Sequence, residues 1–187
     1  MSEKDARVAV CKAGEGPLRV LFVCHGNICR STMAQFVLED LVRRAGRKQD
    51  FVVDSAATSR EEIGSAPHHG TVARLRRAGV PVGRHRARQV QRGEYAAWDV
   101  IAYMDDENER GLRRIFGTSP SGGLLDPEEK VVKLLAFVDD GDGLTPAPRS
   151  RHGRIRDVAD PWYTGNFDDT YRDVLAGCRG LLAALSR

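Results

Sequence analysis

The run Leu18-Arg19-Val20-Leu21-Phe22-Val23 ends on Cys24, and Arg30-Ser31 follows after a short polar stretch. A nearly continuous apolar run reads as a strand buried on both faces, because a half-exposed strand would alternate apolar with polar residues. The stretch His25-Gly26-Asn27-Ile28-Cys29 reads as a loop, and a helix is expected to start at Arg30–Ser31. Strand, short loop and helix in that order belong to a parallel sheet with crossover helices. They also bring loop N–H groups and the positive end of a helix dipole to one point, a receptor for a tetrahedral oxyanion. Arg30 adds a planar fork that grips two oxygens of such an anion. The same positive surroundings favour the thiolate of Cys24 and make it a candidate nucleophile.

The rest of the chain alternates in kind. Met33, Phe36, Val37 and Leu41 lie at helical spacing over Thr32–Arg44, with Gly46 as a stop. Strands are expected at Phe51–Asp54, Val100–Met104 and Val131–Val138, and helices at Thr71–Ala78, Asp106–Phe116 and Phe167–Leu185. The predicted fold is a single α/β domain. It has a central four-stranded parallel twisted sheet, helices on both faces, and the anion loop at the carboxyl end of the first strand. With 187 residues, one domain is the natural expectation. Residues 1–17 are expected to be a flexible tail and 18–187 the functional domain. Residues 139–153, rich in Gly, Pro and charge, read as a loop insertion leading into Asp160, a candidate flap.

Composition excludes several classes. The net charge of +3 does not call for a nucleic-acid partner, and the arginines at 74, 76, 77, 84, 86, 88 and 92 read as a solvated face. The four cysteines, Cys11, Cys24, Cys29 and Cys178, form no CxxC pair, so neither a disulfide scaffold nor a structural zinc site is expected. No apolar run reaches membrane-spanning length and the N-terminus has no apolar signal segment. A cytoplasmic protein with no membrane partner, metal or cofactor is expected.

Val23-Cys24-His25-Gly26-Asn27-Ile28-Cys29-Arg30-Ser31 resembles the phosphate loop of the low-molecular-weight protein tyrosine phosphatases. Asp160-Pro161-Trp162-Tyr163 resembles that family's general-acid loop. His85-Arg86-Ala87-Arg88-Gln89 resembles its central His-x-x-Arg-Gln segment, and Asp54-Ser55-Ala56 the end of its second strand. The resemblance implies hydrolysis of phosphotyrosine through a cysteinyl-phosphate. Cys24 would be the nucleophile, Arg30 the phosphate clamp and Asp160 the general acid and then base. His25, Gly26, Asn27, Ile28 and Cys29 would line the phosphate site. Trp162 and Tyr163 would wall a flat ring, and Ser31, Ser55 and His85 would support Asn27 and the loop. The residues alone leave some roles open: Asp160-Pro161 also reads as a turn and Ser31 as a helix cap.

Three positions refine the resemblance. Related arginine phosphatases carry threonine at the place of Ile28 and a Gly-containing acid loop, so Ile28, Trp162 and Tyr163 point to phosphotyrosine. His25 departs from the small or aliphatic residue expected there, and Glu61 stands where some relatives carry an aromatic rim residue. The resemblance further implies a reversible Cys24–Cys29 disulfide that protects the nucleophile. The partner would be a phosphotyrosine protein, with an autophosphorylating tyrosine kinase as one candidate. Two alternatives fit less well. A thiol arsenate reductase needs relay cysteines, and none lies between Cys29 and Cys178. A phosphotyrosine-binding module needs neither nucleophile nor acid.

Overall fold

The computed structural model describes residues 16–138 and 154–185. The expected features at 1–15 and 139–153 lie outside them. Strand β1 (Leu18–Cys24) runs through the middle, with β2 (Phe51–Ala57) paired parallel on one side and β3 (Val100–Tyr103) on the other. β4 (Val131–Lys133) adds beyond β3, giving the order β2-β1-β3-β4, all parallel.

Burial on both faces explains the apolar run Val20-Leu21-Phe22-Val23-Cys24 of β1. Val20, Phe22 and Cys24 join one cluster, built with Phe36 and Leu38 of α1 (Arg30–Arg44) and Val174 and Leu181 of α5 (Phe167–Leu185). Leu21 and Val23 join the opposite cluster, with Leu112 and Phe116 of α3 (Asp106–Phe116) and with Trp98. Helices therefore cover both faces, as expected. Full burial of each such side chain stabilises the fold by roughly 1.5–3 kcal/mol. Two shorter α-helices complete the set among the described residues, α2 (His69–Arg77) and α4 (Pro161–Thr164).

Three boundaries differ from the sequence reading by two residues or more. β2 continues three residues further, because Ser55, Ala56 and Ala57 are small enough to stay buried against Phe22, Val23 and Cys24. α2 begins at His69, since the His68 side chain caps it by accepting the Gly70 N–H. β4 stops at Lys133, and Leu134–Phe137 forms a 3-10 turn. The turn drives Leu134 and Phe137 against α5, where only glycine fits: a Cβ at Gly177 would lie 2.5 Å from Leu134, and one at Gly180 would lie 2.0 Å from the Phe137 carbonyl oxygen. An apolar run cannot by itself distinguish a strand from a buried turn.

Candidate active site

The loop between β1 and α1 is built around Asn27, which is fully buried and sits at φ 58°. Asn tolerates this left-handed conformation better than other non-glycine residues. Its side chain is fixed from several directions. The Arg88 backbone N–H donates to Asn27 Oδ1 at 3.1 Å, so Nδ2 is the end that faces Ser31 (2.9 Å) and Ser55 (2.8 Å). His85 Nε2 lies 3.2 Å from the Asn27 carbonyl and 3.1 Å from Oδ1; both are acceptors, so Nε2 carries the proton. Burial holds His85 below the ordinary imidazole range, against the pull of its hydrogen bond to Asn27 and the charge of Asp54. The segment bearing His85 and Arg88 reaches the loop because Ala57 at the end of β2 bonds to Arg88 and Val90.

These constraints converge on Cys24, which is buried at the carboxyl end of β1. The Asn27 backbone N–H points at its Sγ from 3.3 Å, and Ser31 Oγ lies 3.0 Å away. Ser31 Oγ already accepts from Asn27 Nδ2, which leaves its own proton free to donate to the sulfur. The N-terminus of α1 faces the same point. Its cap, Cys29, makes no side-chain capping bond, and its first turn has no acidic residue, so no residue of the helix itself neutralises the dipole there. Cys29 is different in kind. Burial first, and then the neighbouring Cys24, push its pKa up to about 12. Cys29 therefore stays a thiol.

Arg30 is 3% exposed, and its fork meets two carboxylates, Asp105 and Asp160, the latter at 2.5 Å. Burial opposes its charge, but Cys24, Asp105 and Asp160 outweigh that and hold the guanidinium ionised. Asp160 belongs to a separate loop. Its Oδ1 accepts the Trp162 N–H at 3.0 Å and caps α4, with Pro161 as the first helical residue. The preceding segment is tied down by Thr170 Oγ1 to the Ala159 carbonyl (2.8 Å), the Ala159 N–H to Asp173 (3.2 Å) and the Val158 N–H to the Met104 carbonyl (2.9 Å).

The cleft so formed holds about 130 Å³, with Cys24 and Arg30 beside Gly26, Ile28 and Cys29. Trp162 and Tyr163 stand along it, 59% and 83% exposed. His25 lies at the rim with Nε2 3.1 Å from Glu61, and Glu62 and Glu107 share the mouth. Of the residues expected from the sequence, Cys24, His25, Gly26, Ile28, Cys29, Arg30, Asp160, Trp162 and Tyr163 line the cleft. Asn27, expected to line the phosphate site, is instead fully buried behind the loop, where Ser31, Ser55 and His85 hold its side chain.

Sequence reasoning missed four contributors. Asp105 follows β3, and its position past the carboxyl end of a strand beside β1 was the available indication. Gln35 accepts the Ser55 hydroxyl proton at 2.7 Å and donates to Glu39 at 3.0 Å. Ser31, Gln35 and Glu39 stand at i, i+4 spacing on α1, which could have revealed them. Arg88 anchors its own segment by ion pairs to Asp54 (2.7 Å) and Glu94 (2.9 Å). His68 links the two loops, and no local pattern marks it.

Comparison with known proteins is consistent with this geometry. The family model for low molecular weight phosphotyrosine protein phosphatases matches residues 19–187. The low molecular weight protein-tyrosine-phosphatase YfkJ of Bacillus subtilis is 36% identical over 170 residues, covering 91% of this chain and 97% of that protein. Its crystal structure superposes with a TM-score of 0.76 over 92% of this chain and 98% of that one. The human low molecular weight phosphotyrosine protein phosphatase is 33% identical, covering 87% of this chain and 92% of its own length. A Drosophila arginine phosphatase shares the fold too, at 27% identity and a TM-score of 0.69 over 89% of this chain and 96% of its own.

Proposed function

The chain belongs to the low molecular weight phosphotyrosine protein phosphatase family, and we propose that it hydrolyses phosphotyrosine in proteins through a cysteinyl-phosphate. The observation that carries this reading is the convergence on one sulfur: the Asn27 N–H and Ser31 hydroxyl aim at Cys24 Sγ while Arg30 and Asp160 meet in the same cleft. The Cys24 thiolate attacks phosphorus in line. The S–P bond forms, the P–O bond to the ring breaks, and Asp160 gives the departing phenolate its proton. Arg30 and the loop N–H groups hold the equatorial oxygens throughout. An incoming phosphoryl group takes Arg30 from Asp160 and leaves that carboxyl beside the leaving oxygen. In the second half, Asp160 accepts a proton from water. That water attacks phosphorus, the S–P bond breaks, and inorganic phosphate and the thiolate are released.

Trp162 and Tyr163 expose enough ring surface to flank a phosphotyrosine side chain. Ile28 packs with Cys29, Ala87 and Phe167 and offers no hydroxyl to a guanidinium, which supports phosphotyrosine over phosphoarginine. Cys29 is also assigned a protective role, as the thiol that captures an oxidised Cys24 as a disulfide. On that assignment peroxide inactivation is reversed by dithiothreitol in the wild type and is largely irreversible in Cys29→Ser.

The reading is tested by phosphate release from p-nitrophenyl phosphate, a phosphotyrosine peptide and a phosphoarginine peptide, with EDTA present, for wild type, Cys24→Ser and Asp160→Asn. Turnover of the first two substrates that depends on Cys24 supports it. A folded, reduced wild type that turns over neither overturns it.

A further inference from the structure

We infer that His68 is a positioning residue for the leaving-group acid, its ring acting as a strut that sets the Asp160 loop over the phosphate loop. The inference rests on the proposed phosphatase reaction and adds a part to it. His68 touches both loops at once. Its backbone N–H donates to the carbonyl of Ile28, in the phosphate loop, at 2.8 Å. Its ring meets the ring of Trp162, in the acid loop, edge-on at 6.1 Å and 77°. The coupling to the carboxylate is short, because the Trp162 backbone N–H is the group that Asp160 Oδ1 accepts, while Oδ2 meets Arg30. Where the Trp162 backbone sits therefore sets one of the two contacts that aim the Asp160 carboxyl.

The strut is itself braced. The His68 ring stacks on Phe167 at 5.1 Å and 11°. Phe167 packs in turn against Ile28, Cys29 and Ala87. The Phe167 ring also lies close against Gly70, where an added Cβ would lie 2.4 Å from it, so only glycine fits there. His68 Nδ1 accepts the Gly70 N–H at 3.1 Å and so fixes the imidazole plane at the start of α2. That bond requires an unprotonated Nδ1. Burial, and then neighbouring His69, keep His68 below the ordinary imidazole range, with Glu62 acting in the opposite direction. A neutral flat ring held by Phe167 and by the neighbouring His69 ring at 4.2 Å gives the exposed indole a fixed contact on the protein side.

Two substrates with the same phosphoryl group distinguish a strut for the acid from a general packing role. Phenyl phosphate needs its leaving oxygen protonated, whereas 2,4-dinitrophenyl phosphate departs without help. His68→Asn keeps a side-chain oxygen for the Gly70 N–H and removes the ring. Its kcat/KM on phenyl phosphate is expected to fall about tenfold, and on 2,4-dinitrophenyl phosphate less than about twofold. His68→Phe retains the ring without the cap and is expected to restore most of the phenyl phosphate rate. In an Asp160→Asn background, His68→Asn should change neither substrate's kcat/KM by more than about twofold. Equal losses on both substrates, no loss on either, or a selective loss that persists without Asp160 would overturn the inference while leaving the phosphatase reading intact. Failure of the wild type to turn over 2,4-dinitrophenyl phosphate by way of Cys24 would remove the phosphatase reading, and this inference with it.

Discussion

Asn27 and Trp162 stand in two loops that face the same cleft, yet Asn27 is fully buried and Trp162 is 59% exposed. The Asn27 loop is held at its centre by Arg88, Ser31, Ser55 and His85. The Asp160 loop is held mainly at its base, by Thr170, Asp173 and Met104, and at its tip by ring contact with His68. The physical needs differ. A phosphate site works when its donors are already in place, because reorienting them during the reaction would cost free energy. A loop that delivers and recovers a proton beside changing substrates gains from fewer constraints. Damage to the two loops should therefore look different: fold and chemistry fail together in the first, and chemistry alone fails in the second.

The largest effect tests the shared centre. Cys24→Ser should lower kcat on a phosphotyrosine peptide by about 10⁴-fold or more, with the thermal midpoint little changed. Asp160→Asn should cost about 10²–10³-fold in kcat/KM on the same peptide and far less on 2,4-dinitrophenyl phosphate, again without loss of stability. Asn27→Ala is the counterpart in the phosphate loop. It removes side-chain hydrogen bonds to four partners, of which Ser31 and Ser55 are fully buried, and a residue suited to positive φ. Stability measured by urea unfolding should drop by about 2–4 kcal/mol, and kcat/KM should fall equally for good and poor leaving groups. A leaving-group-dependent loss in Asn27→Ala, or a stability loss in Asp160→Asn, would break the comparison.

The smallest effect concerns pH. His85 titrates below its ordinary value of 6.5, so the fold favours the neutral ring. The contribution of His85 to stability is complete above that value and is lost as pH falls through the lower folded value. Urea midpoints compared at pH 7.5 and 5 should therefore drop further for wild type than for His85→Gln. Equal drops would remove His85 from the supports of the phosphate loop.

Legibility in the sequence divided along similar lines. β1, the turn after it and the start of α1 follow from a local apolar run and from residue types suited to a loop, so Cys24 and Arg30 could be placed without a partner segment. α3 and α5 have the bounds expected of them. Asp105 caps the first by accepting the Asn108 N–H at 2.6 Å, and an apolar face runs the length of the second. β2 and β4 were misjudged because their ends depend on what lies opposite. Small residues extend β2 where β1 continues beside it, and the two glycines of α5 draw the chain after Lys133 into a turn. Asp160, Ser55 and His85 were found through resemblance, since nothing within a few residues of each identifies its role.

The sequence by itself determined which chemical groups the chain owns and the local frame of one loop: a buried strand, a cysteine at its end, and an arginine at the start of a helix. Those depend on interactions between near neighbours, which propensity and spacing encode. Only the tertiary structure decided that Asp105 and Asp160 meet the Arg30 fork, that Gln35 lies behind Ser55, and that His68 stands between the two loops. Each of those meetings joins segments far apart in the chain. Their distances are set by how helices pack on the sheet, a property of the whole core.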